Sequence, residues 1–204
     1  LVFTNMDICP QPYFYEAVAE LIRRRENAAF VIPRRTIRAD FPDENHLDRM
    51  YLEFGVGHEG FDCFVFPRSW VPRLDLGSLC IGIPSFDLAL ILNLEVITGF
   101  QTRILWGQFL TFHLGDDKAW KDKAALNDHN LGQALAVCER LEAKCGKIPL
   151  RSKFEYVRVW LTQRPAAPAP PHLKAWKMAQ QRLAEWSSRW CVRKYRKRLG
   201  LPGW

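Results

Sequence analysis

No stretch of about 20 consecutive apolar residues occurs in the chain, so the sequence contains no segment that would cross a bilayer as a helix. The longest apolar run, Leu88 to Leu94, is short and is interrupted at Asn93. No glycine-rich phosphate loop is present in the chain either. None of the six cysteines, at 9, 63, 80, 138, 145 and 191, forms a C-x-x-C pair, and the histidines do not supply zinc-finger spacing around them. Cys63 and Cys80 sit in apolar, strand-like runs, where reduced buried thiols are the usual finding. A reducing compartment, cytoplasm or organelle interior, is favoured. No internal repeat and no secretory leader is legible. Leu1-Val2-Phe3-Thr4 reads as a strand already in progress, so the expectation is that the true beginning, with any address, lies upstream.

What is present is enough apolar material for one sizeable core: 48% of 204 residues are hydrophobic, which excludes a disordered chain. The net charge of +7 hides a division. Residues 147–204 carry 14 Lys/Arg against 2 Asp/Glu, a net of +12, leaving 15 basic and 20 acidic groups, a net of −5, for the first 146. The two parts face different partners.

Val2 to Ile8 reads as a strand ending in polar chemistry. Phe14, Val18, Leu21 and Ile22 then follow helical spacing, with Arg23-Arg24-Arg25 suited to a helix C-terminus. Ala29-Phe30-Val31-Ile32 predicts a strand stopped by Pro33, and residues 35–60 a long loop with a short helix around His46 to Phe54. Asp62 to Phe66 is a clear strand, and Leu79-Cys80-Ile81 a weaker one. Phe86 to Leu94 predicts a buried helix and Leu131 to Lys144 an amphipathic one. Alternating strands and helices imply a layered α/β domain over 1–146. Phe154 to Trp160 alternates like a strand, although a short helix is also compatible. A stiff Pro-rich linker covers 165–171, and a basic helix is expected over about 172–199.

Asn5-Met6-Asp7-Ile8 stands at a strand end, where ligands gather in open α/β sheets. Asp7, with Asn5 two residues away, can direct two oxygens at one divalent cation, and such an ion could bridge a diphosphate. An Asp at a strand end is also a common turn or helix cap, so the tetrapeptide alone leaves both readings open.

The blocks that follow add context. Tyr13-Phe14-Tyr15-Glu16, Phe30-Val31-Ile32-Pro33-Arg34-Arg35 and His58-Glu59-Gly60-Phe61-Asp62-Cys63-Phe64-Val65-Phe66 come in order. Cys80-Ile81-Gly82, Leu110 to Asp117, Trp120 and His129-Asn130 complete the series. Together they resemble a poorly characterised glycosyltransferase-like family, related to nucleotide-sugar enzymes of the GT-A fold, over roughly residues 1–145. The resemblance implies an incomplete GT-A-like α/β domain whose donor-binding N-terminal half is missing, since only six residues precede Asp7. It implies that Asp7, Asn5 and His113 meet a Mn or Mg ion or the diphosphate, and that Arg34 and Arg35 meet phosphate. It further implies that Asp62 is the catalytic carboxylate taking a proton from the acceptor hydroxyl. Asn5 departs from the commoner paired aspartates. The plainer alternatives are a loop hydrogen bond for His113, a backbone cap for Asp62, surface charge for the arginines and a helix N-cap for Asp116-Asp117.

Beyond the linker, Trp176, Ala179, Leu183, Trp186 and Trp190 form one helical stripe, flanked by Arg193, Lys194, Arg196, Lys197 and Arg198. Such a stripe suits packing against a partner subunit, stacking and phosphate contacts on RNA, or a membrane surface; the regular Trp spacing favours protein packing. Two functions follow. One is metal-dependent sugar transfer from a nucleotide-sugar donor to an acceptor, if missing sequence completes the domain. The other is a non-catalytic scaffold subunit of a large, RNA-containing or organellar assembly, docked by its basic tail.

Overall fold

The computed structural model describes residues 1–162 apart from 26–27, 42–43, 54, 107, 109 and 116–121. The linker, the Trp176–Trp190 stripe and the Arg193–Arg198 cluster lie outside the described residues, as do Asp116, Asp117 and Trp120.

The class is α/β, as the alternating pattern implies. Strands β1 (Val2–Thr4), β2 (Ile8–Pro10), β3 (Phe30–Ile37), β4 (Val56–Val65), β5 (Arg103–Ile104) and β6 (Thr111–Leu114) form one mixed sheet. Its order is β1-β4-β3-β6-β2, with β5 also against β3. The β1/β4, β3/β4 and β2/β6 pairs are antiparallel, and β3 runs parallel to β5 and β6. Helices α1 (Phe14–Arg24), α2 (Leu47–Leu52), α3 (Phe86–Ile97), α4 (Ala124–Cys145) and α5 (Lys153–Thr162) complete the described elements, with single turns at Glu44–His46 and Arg68–Arg73.

Side chains alternate across a strand, and this divides the core in two. Phe30, Ile32, Cys63 and Val65 turn to Phe14 and Val18 of α1. Val31, Phe61 and Phe64 belong to the larger core with α3, α4 and α5. Helix α3 carries apolar side chains on every side, as a helix enclosed by neighbours does, with Ile91, Leu92 and Leu94 fully buried alongside the polar Asn93 and Glu95. Among the described residues no helix is long and apolar enough to cross a membrane.

Several elements differ from their sequence expectations, and two begin earlier than expected: β4 at Val56, inside the stretch 35–60 read as a loop, and α4 at Ala124. The single strand expected over Val2 to Ile8 is two, β1 and β2, separated by a turn at Met6-Asp7. Pro33 does not stop β3: the pairing with β4 shifts register on either side of it, so the missing N–H falls in an irregular stretch and the strand continues to Ile37. Leu79-Cys80-Ile81 is loop rather than strand. Residues 153–162 are helical, because Phe154, Val157 and Leu161 bury at helical spacing and the Ser152 hydroxyl caps the Glu155 N–H at 3.1 Å. Through those three residues the packed domain continues past residue 146.

Candidate functional site

The turn between β1 and β2 is fastened to β4. The Thr4 hydroxyl donates to the Asp62 carbonyl at 2.9 Å, the Asn5 N–H reaches the same carbonyl at 3.3 Å, and Ile8 N–H closes the turn on Asn5 O at 3.3 Å. Met6 is thereby thrust into solvent while Asn5 faces inward. The Asn5 amide nitrogen donates to Asp62 Oδ1 at 3.0 Å. Asn5 thus holds the carboxylate of Asp62, whereas the sequence reading pairs it with Asp7.

Asp7 meets His113 instead. On β6, His113 is opposite both Ile8 and Thr36, and its side chain is almost wholly buried. Its Nδ1 lies 2.7 Å from the Gly115 carbonyl. A carbonyl only accepts, so Nδ1 carries a hydrogen there. Nε2 lies 3.1 Å from Asp7 Oδ2, on a side chain that is itself 58% exposed. A neutral imidazole with its hydrogen on Nδ1 would place a lone pair against a carboxylate. That contact is satisfied by a second proton, making an imidazolium, or by a cation lying against both atoms.

Asp62 is the buried member of the group, 9% exposed. Oδ1 accepts from Asn5 and, at 3.4 Å, from Arg34 Nη1. Oδ2 is buried without a hydrogen-bond partner, as is Arg34 Nε. Burial pushes the Asp62 carboxyl above its ordinary range, and the Asp7 charge adds to this; Arg34, His58 and His113 oppose it. Nearby, His58 Nδ1 accepts the Gly60 N–H at 2.8 Å. A Cβ on Gly60 would meet that ring at 2.8 Å, so glycine lets the imidazole fold back along β4.

The sequence reading missed one carboxylate here, Asp87. It stands in the first turn of α3, half-buried. Burial and then the charge of Asp62 push it up to about 6, against the pull of backbone N–H groups of Leu88, Phe61 and Asp87 itself. Phe61 adjoins Asp62 on β4, so this contact ties the start of α3 to the site. An Asp in a first helical turn reads as an ordinary dipole partner. The available signal is an acidic residue at the head of a helix whose next residues, Leu88 to Leu92, are all apolar.

Arg35 does not join Arg34. Consecutive strand residues point to opposite faces. Arg35 is 4% exposed; its guanidinium lies over the Phe112 ring, 5.6 Å from the centroid, and donates to the carbonyls of Glu53 and, at 3.2 Å, Tyr51. Burial lowers its pKa to about 9. Two carbonyls at the end of α2 hold it, in place of the phosphate expected from sequence.

Asn5, Asp7, Arg34, Asp62, Asp87 and His113 thus come together at the α3 side of the sheet. Comparison with protein-family models, curated proteins and solved structures returned no match for this chain.

Proposed function

We propose that this chain is a glycosyltransferase-like domain, acting on the metal, diphosphate and acceptor side of a GT-A-like site that transfers sugar from a nucleotide donor. The observation that carries the reading is the fixed His113 imidazole, held by Gly115 so that Nε2 faces the Asp7 carboxylate. Adjacent ligands on an octahedral ion with bonds of about 2.1 Å stand about 3.0 Å apart, and the Asp7–His113 separation of 3.1 Å matches. No cluster of three or more His, Cys, Asp or Glu able to hold a metal occurs among the described residues. An ion held by Asp7 and His113 would need its remaining ligands from substrate oxygens, as magnesium and manganese sites with phosphates have. Asp7 and His113 would hold it, and when bound it would supply neutralising charge to a diphosphate leaving group.

The remaining residues serve the acceptor. Asp62 Oδ1 is engaged by Asn5 and Arg34, leaving Oδ2 as the oxygen to take a proton from an acceptor hydroxyl. Burial, and after it the Asp7 charge, raise its proton affinity against the pull of Arg34, His58 and His113, the direction a general base working near neutral pH requires. Arg34 keeps Asp62 oriented and carries further donors for phosphate. Manganese-dependent hydrolysis of nucleotide-sugar donors, compared between the protein and Asp7→Ala, tests the reading. Loss of turnover in the variant supports it; equal rates in both remove Asp7 from the mechanism.

One observation favours a second reading, the concentration of 14 Lys/Arg against 2 Asp/Glu in residues 147–204. A scaffold subunit docked on an RNA-containing assembly by that segment would bind RNA with affinity falling steeply as salt rises.

A further inference from the structure

The 74–85 connection into α3 has no regular structure, yet it is fastened along its length. At its start, Asn93 of α3 brackets Asp75, accepting its N–H at 2.7 Å and donating to its carbonyl at 2.8 Å, while Arg140 grips the Asp75 carboxylate at 2.7 and 2.9 Å. Ser78 is held by Gln133 and His129. The end nearest the site belongs to Asn130 of α4. Its Oδ1 accepts the Cys80 N–H at 2.8 Å, and its Nδ2 donates to Cys80 O at 2.9 Å and Ile83 O at 3.2 Å. Asn130 is fully buried, a position in which a carboxamide is costly unless every group is paired.

Ile83 O is the joint between the two helices. It receives Asn130 Nδ2 and also the Phe86 N–H, at 3.4 Å, at the entrance to α3. Between them Pro84 fixes its own φ and Ser85, a non-glycine residue, takes φ 76. Ser85 occupies the cap position without capping the helix by its side chain, and its hydroxyl is buried without a partner. Its conformation is therefore imposed by what flanks it. Phe86 packs on Phe3 with ring centroids 5.6 Å apart, and the next residue is Asp87.

We propose that Asn130 is a positioning residue for the transfer site: by holding the backbone of Cys80 and Ile83 it fixes the entry into α3, and with it the place of the Asp87 carboxylate beside Asp62. The proposal rests on the reading of Asp62 as the proton acceptor. The charged groups around the carboxylate pair are Asp7 of the β1–β2 turn, Arg34 of β3, His58 of β4 and His113 of β6.

Carboxyl titration by 13C NMR, with amide hydrogen exchange at Phe61, tests this on the whole protein. Asn130→Asp keeps the acceptor for Cys80 N–H and removes both donors. Asn130→Ala removes all three bonds; if it does not fold, the isosteric variant decides. Asn93→Ala, which loosens the opposite end of the same connection, is the control. Both Asn130 variants are expected to bring the Asp87 midpoint down from about 6 and to speed Phe61 exchange by about tenfold or more. Asn93→Ala is expected to melt earlier while leaving both readings in place. An Asp87 midpoint unmoved in Asn130→Asp, or moved equally in Asn93→Ala, overturns the proposal. Because neither readout involves turnover, a protein inactive on every nucleotide sugar that still shows these shifts refutes the reaction and not the role of Asn130.

Discussion

The two oxygens of Asp62 live in different surroundings: one receives an amide and a guanidinium, the other is buried with no partner. Asp87 beside it titrates as part of the same group, and this makes the stability of the protein depend on pH in a direction unusual for carboxylates. Its folded value of about 6 exceeds the value of about 3.9 in an unfolded chain. The folded state thus retains a proton that the unfolded state releases, so the contribution is complete below pH ~4 and is lost as pH rises through about 6. Asp87→Asn is expected to gain about 2 kcal/mol relative to the parent between pH 4 and pH 7, a figure discounted for partial exposure, as read by urea unfolding across that range. Parallel profiles would contradict the assignment. Arg35→Leu should lower stability by about 1–3 kcal/mol, since two carbonyls lose a buried donor, while leaving manganese and nucleotide binding unchanged by calorimetry. At this scale the sequence points to Asp7 by its place at a strand end, while Asp62 and His113 come from the family resemblance alone. It does not separate Arg34 from Arg35, because Pro33 reads as the end of the strand and no alternation is assigned beyond it. Asp87 escapes notice because a helix-start Asp has an ordinary explanation.

Among the elements, α3 organises the molecule, and Glu95 shows how. It is fully buried, accepts the Thr102 N–H and the Lys153 N–H at 3.1 Å each, and lies 3.7 Å from Lys153 Nζ. One carboxylate therefore joins α3, the connection after it and the first residue of α5. Glu95→Gln keeps the shape but not the charge, and its amide nitrogen cannot accept. A loss of about 1–3 kcal/mol is expected, with faster exchange in α5 than in α1; uniform exchange would contradict the bridge. Helix α5 itself was ambiguous in sequence, since Phe154 to Trp160 satisfies both periods over so short a run. Burial of Phe154, Val157 and Leu161 against α3 and α4 settles it, information that lies in tertiary contacts. Strand β6 had no legible signature either. Its four residues mix Thr, Phe, His and Leu, and all but Leu114 are buried. The helix over Phe86–Ile97 was the easiest to read, because a long apolar segment flanked by Pro84 and Gly99 has one economical interpretation.

For the whole molecule, the division of charge separates an acidic first part, with the sheet and the site, from a basic remainder. If residues 147–204 bind RNA, the logarithm of affinity should fall linearly with the logarithm of salt, with a slope near −0.7 for each phosphate contacted on a single strand; a flat response removes that partner. The central proposal concerns the other part. Manganese binding, followed by electron paramagnetic resonance with and without a nucleoside diphosphate, tests it most directly, because Asp7 and His113 are proposed to form an incomplete site that phosphate oxygens finish. The expected result is weak binding alone, at least about tenfold tighter binding with the diphosphate, and loss of that gain in both Asp7→Ala and His113→Ala. Manganese affinity indifferent to the nucleotide, or unchanged in the two variants, would contradict the proposed site.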